Sequence, residues 1–265
     1  MGPDIHQVIN GGITIIDVHC HLDFKDFNRN REEVIERAKE KLRAVIDSGV
    51  GLGGNRRALA LSSDYPGFIY PTMGFHPADA SKARPELIEE VAGQIESHID
   101  RIVAIGETGM DFHHTRDAEG RRRQEEAFRI FAKLAEEHEM PLVVHARDAE
   151  ERALEIVLEH SIPEVVFHCY GGSLSTAERI IDAGYHISIS TLVTFSDHHM
   201  KLVEDIPLES MLTETDSPYL SPFRGKRNEP AFVAEAVKKI AEIKETDVED
   251  VDRVTTSTAE RIFGL

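Results

Sequence analysis

Short apolar runs recur along the chain. Each stops at a polar or glycine-rich turn, and a stretch with helical periodicity follows. The runs are Ile13–Val18, Arg43–Asp47, Ile69–Phe75, Ile102–Ile105, Leu142–Val144, Val165–Phe167, His186–Ser188 and Met211–Thr213. Apolar runs of this length, bounded by turn signals, predict buried strands. The intervening stretches read as amphipathic helices. Val34, Ile35, Ala38 and Leu42 fall on one face of the first, where Glu33 precedes Arg37 by four residues, and Ala127, Phe128, Phe131, Leu134 and Ala135 share a face of Arg121–Glu139. The second unit is the weakest, because Arg43–Asp47 is a poor strand and Gly54–Tyr65 predicts a short helix at best.

Strands that alternate with helices imply a parallel sheet. Eight such units in 265 residues predict closure into a single (β/α)8 TIM barrel, one domain over residues 1–265, with its active site at the C-terminal mouth of the strands. A doubly wound open sheet is the alternative. The chain carries no internal repeat, low-complexity tract or Pro/Gly/Ser linker.

Composition narrows the setting. Hydrophobic residues make up 41% of the chain, enough for a sizeable core, yet no apolar stretch approaches the roughly 20 residues that cross a bilayer. Met1–Gly12 has no basic segment followed by a long apolar one, so no secretory signal is expected. Two cysteines, Cys20 and Cys169, are too few for a disulfide framework and suit a cytoplasmic protein. The net charge of −18 argues against non-specific coating of nucleic acid. It leaves room for an enzyme that handles a phosphate chain in a cleft where metal ions carry the positive charge. No membrane and no obligate protein partner are inferred.

The chemistry-bearing residues sit at the ends of the runs. In Asp17-Val-His-Cys-His21, alternation along a strand puts His19 and His21 on one face, about 7 Å apart along the chain, where two imidazoles can chelate one divalent ion. Alone, such a pair is weak in a chain with 14 histidines. The other runs end alike, in Glu107, His145, His168 and Asp216. In a barrel all six converge on one mouth. Four imidazoles and two carboxylates buried together without a partner would cost several kcal/mol, which a cation relieves. Six ligands exceed the needs of one tetrahedral zinc, and two ions bridged by a carboxylate account for the number better. Glu107, on the fourth strand between the first-strand and fifth-strand ligands, is the natural bridge. One ion then takes His19, His21, Asp216 and Glu107, the other Glu107, His145 and His168. This donor set suits zinc, manganese, cobalt or nickel better than magnesium.

These residues belong to a series of separated motifs. They are Asp17-Val-His-Cys-His-Leu-Asp23, Gly74-Phe-His-Pro77, Gly106-Glu-Thr-Gly-Met-Asp111, Pro141-Leu-Val-Val-His-Ala-Arg-Asp148, Phe167-His-Cys-Tyr-Gly-Gly172, Glu214-Thr-Asp-Ser-Pro218 and Asn228-Glu-Pro230. In this order the chain, from about Ile16 to Leu265, resembles the TatD family of metal-dependent deoxyribonucleases, relatives of the amidohydrolase barrels. The resemblance implies the same six ligands, the same division between two ions, magnesium as a working metal in nuclease assays, and DNA as substrate. One departure is Ala78, where many members carry a further histidine after the His-Pro pair.

The expectation is therefore a two-metal hydrolase that cleaves phosphodiester bonds of DNA with a metal-activated water. Asp216 accepts the proton of that water, Glu107 bridges, and His76 orients substrate or water. Arg224, Lys226 and Arg227, in the loop after the eighth strand, are expected to face phosphate. Asp17 and Glu214, one pleat below the ligands, suit orientation of the imidazoles. Asp148 is expected to cap the following helix, Arg121-Arg122-Arg123 to be solvated, and both cysteines to point away from the metals. The alternatives are an ester, lactone or amide hydrolase on the same scaffold, and a metal-binding barrel without turnover.

Overall fold

The computed structural model describes residues 14–265, so Ile13 of the first run, Met1–Gly12 and His6 lie outside the described residues. Eight strands follow one another in a single sheet, each parallel to its neighbours in the order of the chain. They are β1 (Ile16–Cys20), β2 (Ala44–Val50), β3 (Ile69–Gly74), β4 (Ala104–Asp111), β5 (Leu142–Arg147), β6 (Val165–His168), β7 (His186–Ser190) and β8 (Met211–Glu214). The sheet closes because the tail of β8 returns to β1. Asp216 N donates to His19 O at 2.9 Å, and His21 N donates to Ser217 O at 2.8 Å. An open doubly wound sheet has no such bond, and that alternative falls.

The helices are α1 (Arg31–Lys39), α2 (Gly51–Asp64), α3 (Pro77–Ala80), α4 (Pro85–Glu96), α5 (Ala118–Glu137), α6 (Glu150–Val157), α7 (Leu174–Asp182), α8 (Asp197–Asp205), α9 (Val233–Lys244) and α10 (Val248–Phe263). The faces anticipated for α1 and α5 are buried without exception. The second unit corrects the expectation. α2 is a 14-residue helix despite its glycines, because it buries Asn55, Ala58 and Leu59 against the sheet, and packing outweighs its low propensity. Asn55 also ties it down, accepting from Gly74 N and donating to Gln94.

Two apolar layers result. Ile16, Val18, Ala44, Ile46, Ala104, Val143, Val166 and Leu212 fill the barrel interior and meet Ala259, Ile262 and Phe263 of α10. The second, larger layer lies between strands and helices, with Phe128, Phe131 and Leu154 among its members. With apolar side chains packed at the amino-terminal end, polar groups gather at the carboxyl-terminal end. Several strands run further than their apolar runs. β5, for example, pairs through His145 with both Gly109 and His168, so His145 and His168 ride on rigid strand ends rather than on loops. Among the described residues no helix is long and apolar enough to cross a membrane.

Candidate metal centre

The site begins at an irregularity in β1. Pairing with β2 shifts register between Asp17 and Cys20. Beyond it His19 and His21 face the same space, with their Nε2 atoms 3.3 Å apart. Each ring is held from behind. His21 Nδ1–H donates to the carbonyl of Ser48 at 2.8 Å, and His19 Nδ1 lies 3.2 Å from the Ser48 hydroxyl oxygen. A proton placed on Nδ1 leaves Nε2 as a lone pair aimed into the mouth, the form a metal requires.

Glu107 occupies the middle of the cluster. Its Oε2 lies 3.5 Å from Nε2 of both His19 and His21. Its Oε1 lies 2.7 Å from His145 Nδ1 and 3.0 Å from His168 Nε2. One carboxylate thus turns one oxygen to each histidine pair. Glycines make room for this. A Cβ at Gly74 would strike the peptide joining Gly106 to Glu107, and Gly109, at a φ of 140°, lies against the backbone of His145. That is the local reason for glycine in the Gly74-Phe-His-Pro77 and Gly106–Asp111 motifs.

Asp216 completes the ring, with Oδ1 3.6 Å from His21 Nε2. Its φ of 54° swings the side chain inward just past the end of β8, a conformation aspartate tolerates. Asn228 pins this turn, donating to Thr215 O at 2.9 Å and to the Thr191 hydroxyl at 3.0 Å. Behind the other pair, Glu214 Oε1 lies 3.6 Å from His168 Nδ1, and Asp111 Oδ2 lies 3.5 Å from His145 Nε2. The role of Asp111 was not anticipated. Its signal is the strand period, since Glu107, Gly109 and Asp111 share one face of β4 and only the first and last carry a side chain.

The electrostatics suit a bound cation. Glu107 Oε2 is buried without a hydrogen-bond partner, as are His168 Nδ1 and Glu214 Oε1. Burial opposes the charge on Glu107, yet His168, His76 and His145 hold its carboxyl well below the usual range. Burial likewise opposes charge on His21, but Asp216 and Glu107 overcome it and lift the ring to about 9. His168 is raised against its burial by Glu107 and Glu214, whereas burial and the neighbouring His168 lower His19. Ligand atoms of His19, His21 and Glu107, of His19, His168 and Asp216, and of His76, Glu107 and His145 each lie within 4.8 Å of one another. Divalent ions fit this donor set, replacing ring protons and occupying the orphaned oxygen.

With this geometry, comparison with known proteins is decisive. The model of TatD-related DNases matches residues 16–264. The chain belongs to the TatD-related DNase family. A metal-dependent hydrolase of Methanocaldococcus jannaschii, itself uncharacterized, is 46% identical over 95% of this chain and 97% of its own length. The human deoxyribonuclease TATDN3 is 33% identical, with 95% of each chain covered. Among solved structures, the TatD homologue YJJV of Escherichia coli superposes with a TM-score of 0.87 at 26% identity, covering 95% of this chain and 98% of that one.

In this TatD-family chain the six anticipated ligands come together, while several neighbours differ from expectation. His76 does two things. Its Nδ1 accepts from Ala78 N at 3.1 Å, capping α3, and its Nε2 lies 3.4 Å from Glu107 Oε1. Because Nδ1 is an acceptor, the proton of the neutral ring sits on Nε2, so His76 faces the site as a donor rather than as a ligand. Asp17 lies off the ligand face. The register shift that follows it puts His19 and His21 out of phase with it, and it accepts instead from Thr215 N (2.9 Å) and the Thr215 hydroxyl (2.6 Å). Cys20 points away as expected, donating to Ile46 O. Cys169 does not, because a φ of 45° ends the alternation and brings Sγ to the Ser190 hydroxyl, where Glu214 and Asp216 add to the burial that raises its thiol.

Asp148 caps nothing. It sits at a φ of 54° and pairs with His113 Nδ1 at 3.1 Å, while α6 begins after Ala149 without a side-chain cap. Of the basic loop, Arg224 and Lys226 are exposed. Arg227 is committed elsewhere, donating to Asp26 O and to Asn30 Oδ1 and lying over the Phe27 ring at 4.2 Å. It staples the loop after β8 to the loop after β1.

Proposed function

We propose that this protein is a metal-dependent deoxyribonuclease that hydrolyses phosphodiester bonds of DNA with two divalent ions. The observation that carries the reading is Glu107, whose two oxygens face different histidine pairs. His19, His21 and Asp216 would hold one ion, His145 and His168 the other, and Glu107 both. Ions bound there would polarise the scissile phosphate and lower the pKa of the attacking water. The names of the relatives, metal-dependent hydrolase and deoxyribonuclease, support the assignment.

The chain's own groups divide the remaining work. Burial would raise the Asp216 carboxyl, but His21, His168 and His19 lower it, so it stands ionised at neutral pH and can take the proton of the water. Burial pushes His76 down to about 4, and its neutral Nε2–H can donate to a phosphoryl oxygen. Arg224 and Lys226 would neutralise a flanking phosphate; Arg227 contributes by holding their loop. Four histidines among the ligands favour manganese or zinc, and family practice adds magnesium. Two free cysteines fit a cytoplasmic setting.

The test measures nucleotide release from single-stranded DNA beside a panel of esters, lactones and amides, each with added Mn²⁺, Zn²⁺ or Mg²⁺. DNA cleavage should exceed turnover of every ester, lactone and amide in the panel. Efficient lactone or amide hydrolysis with DNA left intact would assign a different substrate to the same scaffold.

A further inference from the structure

Beside the histidine cluster lies an open cleft of about 500 Å³ that the chemistry above does not use. It is lined by Asp23, Phe24, Lys25, Asp26 and Asn28 from the loop after β1, by Tyr219 from the loop after β8, and by Arg57 of α2. The cleft is continuous with the site, for the Phe24 ring stacks on the ligand candidate His21, with centroids 4.4 Å apart and planes 16° from parallel. Tyr219 meets Phe24 edge-on at 6.4 Å. Its backbone N donates to Asp216 O, so the ring is fixed three residues from another ligand candidate.

Tyr219 nevertheless leaves 54% of its surface open, and it has company. Among the described residues the exposed aromatic side chains are Phe195, Tyr219 and Phe223, all on the loops that follow β7 and β8. A single exposed apolar side chain needs no explanation, but aromatics confined to the rim of a polar mouth suit a flat apolar ligand. Cations share the cleft. Lys25 forms no ion pair among the described residues, Arg57 donates to Asp23 Oδ2 at 3.0 Å, and the carboxylate of Asp26 also lines the cleft. Flat rings beside a cation match the chemistry of one nucleotide, a π-faced base carried on a phosphate.

We infer that the cleft is a nucleobase subsite, in which the base attached to the reacting phosphate stacks on Tyr219, with Phe24 behind it and Lys25 toward the next phosphate. The inference rests on the DNA-cleaving reading. It makes Tyr219 a positioning residue that acts through the base and leaves the metals and the attacking water untouched.

The experiment uses the metal-loaded protein and thymidine decanucleotides that carry one abasic residue at each position in turn. In the wild type one abasic position should raise KM about tenfold through lost stacking, with kcat little changed. Tyr219→Ala should raise KM for the intact oligonucleotide by a similar factor and abolish the penalty at that position, at unchanged metal content. Tyr219→Phe keeps the ring and should behave as wild type. DNA cleavage with a KM indifferent to Tyr219→Ala, or an abasic penalty that persists in that variant, overturns the subsite alone. A wild type that cleaves none of the oligonucleotides overturns the subsite together with the nuclease reading.

Discussion

Nδ1 of His145 lies 2.7 Å from Oε1 of Glu107, while the other oxygen of the same carboxylate faces His19 and His21 at 3.5 Å. A group shared in this way cannot be lost from one ion alone. Glu107→Ala should release both ions and cut activity at least about a hundredfold, more than the loss typical of altering an orienting partner. His168→Ala should weaken chiefly the ion that His145 helps hold. Elemental analysis of the purified variants checks both. Two equivalents retained in Glu107→Ala would refute the bridge, and loss of the ion held by His19 and His21 in His168→Ala would refute the partition.

Asp111 touches no reacting atom, but it faces the Nε2 of His145 and so favours a proton there, leaving Nδ1 to bind. Asp111→Asn should weaken one ion by about 10–100-fold while the fold holds. Competition for metal against a chelator of known affinity, read beside the melting temperature, separates this from general destabilisation.

Metal binding should also report the protons it displaces. In the metal-free site Asp216 and Glu107 keep His21 protonated up to about 9. Below that pH an ion must expel the ring proton, and above it the ring is already free to bind. Affinity for the ion held by His19 and His21 should therefore rise with pH, by about tenfold per unit for each proton displaced, until the His21 ring is free near 9. Calorimetry in buffers of different ionisation enthalpy should find net proton release at pH 7. Affinity that is flat between pH 6 and 8 would contradict this charge state.

The basic loop divides into two behaviours. Arg224→Ala combined with Lys226→Ala should raise KM for DNA and reduce its dependence on salt, because phosphate contacts release counterions. Arg227→Ala, which breaks the contacts to Asp26, Asn30 and Phe27, should instead lower the melting temperature and affect KM only indirectly. Equal salt slopes for wild type and double variant would remove the loop from the phosphate path.

Much of this site is legible in the sequence. Apolar runs give strands, barrel strands put their ends at one mouth, and His19, His21, Glu107, His145, His168 and Asp216 all occupy such ends. What escaped has a common cause. Alternation predicts the direction of a side chain only while the chain stays extended and in register. The register shift in β1 puts His19 and His21 out of phase with Asp17, and positive φ at Cys169 and Asp148 redirects residues whose types do not announce it. The commitment of Arg227 to Asp26 and Asn30 is a contact between loops some two hundred residues apart, which no local pattern carries. Asp111 was within reach, since the strand period that selects Glu107 selects it as well.

The most direct test of the account is a titration of the metal-stripped protein with Mn²⁺, following both bound metal and nucleotide release from single-stranded DNA. The geometry of Glu107 predicts that cleavage climbs until two equivalents are bound and then levels off. Full activity at one equivalent, or two bound ions with no cleavage of DNA, would contradict it.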